Sequence, residues 1–495
     1  MTRTFNWRIV FKTMGVLTTL EALFMLVPTV TAWWYNEPDL GAWLISSIIT
    51  WLSSWWMLLA GRHAEKRVGE REGYIIVALV WVVYSLFGLL PYWLSGALPS
   101  ITDAWYETMA GFTTTGSTVI RDVEAMTHSV LLWRALSQWI GGMGIIVLSV
   151  AILPMFGLGG MQLYSAEVTG VSYDKLSPRI ADTAKHMWIT YIGLTLVECV
   201  LLRGFGMGKF DGLCHSLTTI STGGFSTRNT SVMFDGPAIQ WTILVFMLLS
   251  GINFTQLIYL FRGKPDRLVH DEETRWFVSA CLVVGLMLGA GLFFYYTDIH
   301  GLRFMDVFHS AGDSLRVGLF TSIASITSTG FAAADFMLWP PLLWMIVFFM
   351  MIPGGASGST AGGAKWVRIG IFAKSALAEI KRRVHPNAVI PVRFNDRTVS
   401  EVTTSNVMAF MFFYMSIIGL AALCFCACDI GFDEALGVAV SMIGNVGVSI
   451  GQYGPSGCYA DFPTVAKWIA TFVMLIGRLE IFTVLLLFSR SLWKK

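Results

Sequence analysis

Long apolar segments recur along this chain, and they constrain its fold more than any other feature. A helix needs about 20 apolar residues to cross the hydrocarbon core of a bilayer. Only 13% of the residues are charged, against about 25% in soluble domains. The sequence therefore predicts an all-α integral membrane protein with ten transmembrane helices. These helices are predicted at about 13–35, 40–61, 73–96, 130–156, 185–208, 237–262, 275–297, 340–373, 403–428 and 463–490.

Four short glycine loops separate pairs of these segments from the third segment onward. The four glycines are 107, 107 and 117 residues apart, and a near-constant period with similar local chemistry indicates an internal repeat. Each unit is predicted to be helix, pore helix, filter loop, helix, and the four units to surround one pseudo-fourfold pore. The predicted filter residues are Thr114, Thr115 and Gly116; Ser221, Thr222 and Gly223; Ser328, Thr329 and Gly330; and Asn445, Val446 and Gly447.

The repeats divide the chain into five parts. An N-terminal helix pair is predicted at 1–70. Pore repeats are predicted at 71–160, 161–265, 266–385 and 386–495.

Aspartates precede the glycine loops at a similar distance. Asp103, Asp211 and Asp433 each lie near the start of a predicted short helix, and Asp306 or Asp313 takes this place in the third unit. An aspartate at a helix N-cap accepts hydrogen bonds from free backbone N–H groups. We therefore expect N-caps here, with the negative helix C-termini directed at the loops.

The loops are suited to a dehydrated cation. Irregular backbone is tolerated at membrane depth only when it is buried in protein or lines a water-filled cavity, and rings of four carbonyls form potassium filters. The four loops contain no Asp or Glu. Selection by neutral oxygens favours potassium or another large monovalent cation. A single loop of this kind would equally be an ordinary turn between helices.

Several motifs resemble one known family. They are Thr113–Gly116, Gly141–Leu148, Gly159–Tyr164, Gly223–Thr227, Gly358–Gly363 and Gly477–Phe482. Over its whole length the chain is similar to the membrane subunits of the bacterial Trk potassium uptake system (TrkH and TrkG), within the Trk/Ktr/HKT superfamily. The resemblance implies uptake of the potassium ion, no organic cofactor in this chain, a homodimer, and a cytoplasmic NAD- or ATP-binding regulatory subunit of TrkA type.

A glycine-rich stretch interrupts the eighth apolar segment. Residues 353–363 include Gly354, Gly355, Gly358, Gly362 and Gly363, and each glycine in a helix costs about 1 kcal/mol relative to alanine. A broken stretch below the filter is predicted, and by the family resemblance it is the gate. The alternative is a helix kink for packing.

Basic residues surround this predicted gate. Arg478 lies inside the last apolar segment, where a charge is costly and functional. It would either oppose cation passage or form a buried ion pair, for example with Glu198. Lys365 and Arg368 are expected to extend to the cytoplasmic interface.

The distribution of Lys and Arg predicts the orientation. The segments 61–72, 262–275 and 374–397 are rich in both, whereas the glycine loops carry few. By the positive-inside rule, both termini are cytoplasmic and the loops open to the outside of a bacterial inner membrane. The basic run 381–383 is predicted to contact anionic lipid or the regulatory subunit. Nothing in the sequence suggests binding of nucleic acid.

Enzymatic activity is not predicted. Ser357 lies in a stretch that resembles an intramembrane protease nucleophile, but such chemistry needs a histidine base. The plausible base, His309, is predicted on the outer side. The competing class is a secondary active transporter that couples potassium to proton or sodium, and Glu198 is its candidate coupling residue.

Overall fold

The computed structural model describes residues 5–64, 69–144, 180–295 and 311–493 of the 495-residue chain. Asp306, His309, the stretch 159–164 and the boundary at 160/161 lie outside these residues. Nearly all of the regular structure is helical. The helices are α1 (Trp7–Trp34), α2 (Leu40–Ala60), α3 (Glu70–Gly88), α4 (Leu90–Leu94), α5 (Ile101–Phe112), α6 (His128–Gly142), α7 (Ile180–Gly204), α8 (Lys209–Ile220), α9 (Pro237–Gly251), α10 (Phe254–Phe261), α11 (Pro265–His270), α12 (Glu272–Phe294), α13 (Ala311–Ile326), α14 (Pro341–Met350), α15 (Trp366–Val384), α16 (Glu401–Cys426), α17 (Phe432–Gly444), α18 (Thr464–Arg478), α19 (Phe482–Phe488) and α20 (Arg490–Trp493).

Two short strands form the remaining regular structure of the described residues. Strands β1 (Arg393–Phe394) and β2 (Arg397–Thr398) pair antiparallel. Asn395 and Asp396 between them both have positive φ, as a tight two-residue hairpin requires. The Asn395 side chain accepts a hydrogen bond from the backbone N–H of Glu272 at 2.7 Å. The hairpin therefore helps to fix the start of α12.

The helices include enough membrane-spanning candidates for a multi-pass membrane protein. Within the described ranges, six are long and apolar enough to cross a bilayer, and up to eight are if each bent pair counts as one span. The bent pairs are α9 with α10, at 109°, and α18 with α19, at 113°. The membrane class predicted from the sequence is thereby confirmed.

Helices α1 and α2 pack against each other through small and hydroxyl side chains. Ser47, Thr50 and Ser54 are buried at this interface, and Thr19 Oγ1 donates to Ser54 Oγ at 3.2 Å. Small residues allow close approach of helices in lipid, where apolar burial gives little driving force. The opposite face of α2 is apolar and exposed, with Trp55 as an example, as expected of a helix facing lipid.

The short helices α5, α8, α13 and α17 end directly at the four glycine loops, but the predicted N-caps are wrong. The N-cap residues of α5, α8 and α17 are Ser100, Gly208 and Gly431, while Asp103, Asp211 and Asp433 lie within the first turn. The aspartate side chains bind other elements instead. Asp103 accepts a hydrogen bond from Lys467 Nζ at 2.6 Å, and Asp211 accepts one from the Thr227 hydroxyl at 2.7 Å. Acidic groups in the first turn still favour the positive end of the helix dipole.

The helix that follows each loop ends midway, which the sequence predicted only for the third. Helices α6, α9, α14 and α18 end at Gly142, Gly251, Met350 and Arg478. Glycines at these ends allow close contact with the loops. A methyl group added at Gly141 would lie 1.8 Å from the carbonyl oxygen of Phe112, and one added at Gly477 would lie 2.2 Å from that of Ile443. The uninterrupted helices predicted at 237–262 and 463–490 are therefore corrected to bent pairs.

Candidate ion site formed by four glycine loops

The four glycine loops share one backbone conformation. In each loop a residue with left-handed φ is followed two positions later by a glycine with φ between 76° and 86°. Left-handed φ is costly for most residues and free for glycine. The first members are Thr114, Thr222, Ser328 and Asn445, and the glycines are Gly116, Gly224, Gly330 and Gly447.

This shared conformation revises the alignment of the second loop. Gly224, and not Gly223, has the positive φ of Gly116, Gly330 and Gly447. Gly223 therefore corresponds to Thr115, one position earlier. The equal spacing of 107 residues in the sequence arose because two glycines are adjacent in the second loop.

The loops close into a ring in which each left-handed glycine contacts the carbonyl of the next loop. A methyl group added at Gly116 would lie 2.0 Å from the carbonyl oxygen of Gly223, and one added at Gly447 would lie 2.1 Å from that of Thr115. The same test gives 1.8 Å from Gly224 to Thr329 O and 2.2 Å from Gly330 to Val446 O. First meets second, second third, third fourth and fourth first. Only glycine fits at these four contacts.

Hydroxyl groups brace two of the loops from within. Thr113 and Thr115 share a hydrogen bond of 2.8 Å between their hydroxyl oxygens, and Thr327 and Thr329 share one of the same length. In the fourth loop the Asn445 side chain donates to Thr115 Oγ1 at 2.9 Å. The side-chain oxygens are thus engaged in support, which leaves the backbone carbonyls as the ring's common feature.

A buried ion pair connects the first and second loops on their outer side. Glu107, on α5, is fully buried and accepts hydrogen bonds from Arg134 Nε at 2.8 Å and the backbone N–H of Val119 at 2.9 Å. Arg134 also donates to the carbonyl oxygen of Ser226 at 2.9 Å. Each charge has a partner, which buried charges require. The sequence did not identify this pair, because its members lie 27 residues apart.

One cavity lies on the outer side of the ring. It has a volume of about 160 Å³. All four left-handed glycines line it, together with Arg134 and the loop 453–459. Tyr459 donates from its hydroxyl to the carbonyl oxygen of Gly447 at 3.0 Å. Water and ions that reach this cavity therefore meet the ring directly.

A second cavity lies where the broken helices meet. It has a volume of about 120 Å³ and is lined by the ends of α6 and α18, the start of α10 and residues 357–363. The predicted gate residues therefore lie together, apart from Gly354 and Gly355, which are buried beside it. Gly355 would place an added methyl 3.1 Å from the carbonyl oxygen of Gly251.

The stretch 351–365 is irregular, as predicted, and it is fastened to the ring above it. Gly362 donates from its backbone N–H to Ser328 Oγ at 2.6 Å. Thr360 donates from its hydroxyl to the carbonyl oxygen of Ile220 at 3.0 Å. Glu273 accepts backbone hydrogen bonds from Ser357 at 2.6 Å and from Val367 at 3.0 Å. This stretch therefore connects α12 to the second and third glycine loops.

Arg478 links the broken end of α6 to this irregular stretch. Its guanidinium donates to the carbonyl oxygens of Gly142 and Thr360, each at 3.0 Å, and also to that of Gly141. The last carbonyls of a helix lack intrahelical partners and carry partial negative charge. One side chain thus satisfies groups from two separate repeats.

The other basic residues differ from their predicted placement. Lys365 and Arg368 are buried rather than extended to an interface. Arg368 forms an ion pair with Glu480 and lies over the ring of Phe410 at 4.1 Å. Neither carboxylate oxygen of Glu198 has a hydrogen-bond partner among the described residues, so the suggested pair with Arg478 does not form.

Comparisons with known proteins agree with this architecture. A family model described as "TrkH: Cation transport protein" matches residues 42–495. The chain is 36% identical to the Trk system potassium uptake protein TrkH of Halomonas elongata, covering 99% of both chains. It is 34% identical to the protein of that name from Escherichia coli K12, over 99% of this chain and 100% of the relative.

A solved structure shows the same fold. The crystal structure of the potassium transporter TrkH from Vibrio parahaemolyticus matches with a TM-score of 0.88 and 31% identity, covering 99% of this chain and 100% of that one. These relatives are transport proteins and not enzymes. The chain thus belongs to the TrkH family of cation transport proteins.

Proposed function

We propose that this protein takes up potassium across the bacterial inner membrane by channel-like, gated permeation. The observation that carries the proposal is the closed ring of four glycine loops between two cavities. Backbone carbonyls of equivalent residues approach one another there, and no carboxylate lies in the loops. Neutral oxygens in a buried, closed frame suit a large monovalent cation. The names of the relatives support potassium as that cation.

Under this proposal the chain forms four pore repeats around one pseudo-fourfold axis, with ten transmembrane helices and both termini in the cytoplasm. Ions enter through the outer cavity and lose water at the ring. The carbonyl oxygens of Thr115, Gly223, Thr329 and Val446 are the proposed ligands of the layer that the glycine contacts define. The irregular stretch with Gly354–Gly363 and Arg478 forms the barrier beneath.

The proposed assembly follows from the family resemblance. It comprises a homodimer with one pore per protomer and a cytoplasmic NAD- or ATP-binding regulatory subunit of TrkA type. The exposed basic residues Lys381, Arg382 and Arg383 in the last turn of α15 are proposed to contact that subunit or anionic lipid.

Potassium flux from liposomes tests the proposed mode of transport. Purified protein in vesicles with opposed potassium and proton gradients is expected to pass potassium down its own gradient alone, because the ring needs no second ion to close. The measurement is potassium flux at several imposed pH and sodium gradients. An obligatory proton or sodium co-flux would instead establish the coupled transporter. That second candidate retains interest because Glu21 and Glu198 are buried without hydrogen-bond partners among the described residues.

A further inference from the structure

A glutamine from a neighbouring helix occupies the side-chain position that the second glycine loop lacks. Before the left-handed glycine, the other three loops carry Thr115, Thr329 and Val446, whereas the second carries Gly223. Gln138 lies on α6 and is completely buried. A side chain at Gly223 would begin 2.4 Å from both Cδ and Oε1 of Gln138. The glutamine amide therefore fills the space that a side chain of the loop fills elsewhere.

The amide of Gln138 also holds the backbone of the second loop. Its Nε2 donates to the carbonyl oxygen of Gly223 at 2.6 Å, and its Oε1 accepts from the backbone N–H of Phe225 at 3.0 Å. A primary amide can donate and accept at once. The two bonds lie on either side of Gly224, the glycine of the ring. The direction of the Gly223 carbonyl is thereby fixed from outside the loop.

The other loops hold the equivalent carbonyl with their own side chains. Thr115 and Thr329 bond to the hydroxyls two residues earlier, Thr113 and Thr327, at 2.8 Å each. In the second loop Ser221 takes that earlier position, and its hydroxyl donates to the carbonyl oxygen of Leu217 at 2.8 Å, as Thr113 does to Met109 at 2.6 Å. A hydroxyl at position 223 is all that the second loop lacks. Gln138 replaces it.

We propose that Gln138 is a positioning residue for ion selection, because it sets the Gly223 carbonyl in the four-carbonyl layer. This inference rests on the proposed function of the ring. It makes the second quarter of the site different from the others, since its carbonyl shares its electron pairs between an amide and the ion. Gly223 and Gln138 form a compensating pair, so that a change at one is tolerated only with a matching change at the other.

The test is a double-variant cycle in reconstituted protein. The variants are Gln138→Ala, Gly223→Thr and the two combined, and the measurement is the potassium-to-sodium permeability ratio in liposomes together with thermal unfolding. Gln138→Ala leaves a buried carbonyl and a buried N–H without partners, and a loss of about tenfold in the ratio is expected. Gly223→Thr alone is expected to lose flux and selectivity, because the new side chain overlaps Gln138.

The double variant is expected to recover most of the selectivity. The threonine then has the space vacated by Gln138 and reaches the Ser221 hydroxyl, as Thr115 reaches Thr113. The matched control is Gln240→Ala. Gln240 is also a buried amide on a helix after a loop, but it donates to the carbonyl oxygen of Val232 at 2.9 Å, outside the ring. Its permeability ratio is expected to equal that of the wild type.

Two outcomes would overturn the inference. One is a Gln138→Ala protein with wild-type selectivity. The other is a double variant no more selective than Gly223→Thr. If Gln138→Ala does not fold, the double variant must restore both folding and selectivity, and its failure counts equally against the inference. A wild-type protein without preference for potassium contradicts the proposed function itself, whereas a selective wild type and an equally selective Gln138→Ala contradict only the role of Gln138.

Discussion

Replacing Gly224 with alanine is expected to abolish potassium uptake. The φ of this residue is 77°, which costs an alanine roughly 1–2 kcal/mol. The new methyl would also lie 1.8 Å from the carbonyl oxygen of Thr329, so that the third loop must move. Because the ring is closed, this displacement reaches the other loops. Together the strain and the displaced ligands are expected to lower potassium flux by about a hundredfold or more.

The measurement is potassium uptake by cells that lack other uptake systems, with flux from liposomes as the direct readout. Gly419→Ala is the matched control, because Gly419 lies on α16 with no atom within 4 Å of an added methyl. Its uptake is expected to be normal. Wild-type flux and selectivity in Gly224→Ala would show that the ring does not contain the ion site.

Replacing Arg478 with alanine is expected to raise resting potassium flux. Three carbonyl oxygens, from Gly141, Gly142 and Thr360, lose their charged donor, and hydrogen bonds to charged groups contribute about 1.5–3 kcal/mol each. Losing the equivalent of one such bond from the closed state alone corresponds to an increase of roughly tenfold or more in flux. The positive charge beneath the ring is removed as well.

Arg478→Lys separates these two effects. Lysine retains the charge but lacks the planar fork that reaches several carbonyls at once. If the hydrogen bonds hold the barrier, resting flux through the lysine variant is expected to lie between that of wild type and alanine. Flux is measured in liposomes without the regulatory subunit. Wild-type resting flux in a folded Arg478→Ala protein would mean that Arg478 is not part of the barrier.

The membrane class and the existence of the four loops could be predicted from the sequence. Both follow from patterns that are local in the chain: apolar segments near 20 residues long and glycines flanked by hydroxyl residues. The register of the second loop could not, because Gly223 and Gly224 are adjacent and only the sign of φ distinguishes them. Spacing favoured the wrong one of the two.

The helix breaks were missed for a similar physical reason. The stretch 353–363 contains enough glycine to be recognised, whereas α9 ends at a single Gly251 and α18 ends at Arg478. Apolar composition continues across both breaks, so hydropathy alone predicts one helix. The breaks depend on contacts with the loops of other repeats, which are distant in sequence.

The aspartates and Gln138 illustrate the limit of local rules. Asp103 has the spacing of a cap, but Ser100 takes that position and Asp103 binds Lys467, 364 residues away. Gln138 lies among apolar residues and shows no motif, and its role depends on an absent side chain 85 residues further on. A buried amide in an apolar helix is the only signal that the sequence offered.

Ion density in the ring tests the central claim most directly. A crystal of the protein with rubidium or thallium in place of potassium would show the ion by its anomalous scattering. We expect density among the carbonyl oxygens of Thr115, Gly223, Thr329 and Val446, and none there when sodium is the only monovalent cation. Ordered ions elsewhere in the protein, with none inside the ring under conditions that support transport, would contradict the assignment of the four glycine loops as the ion site.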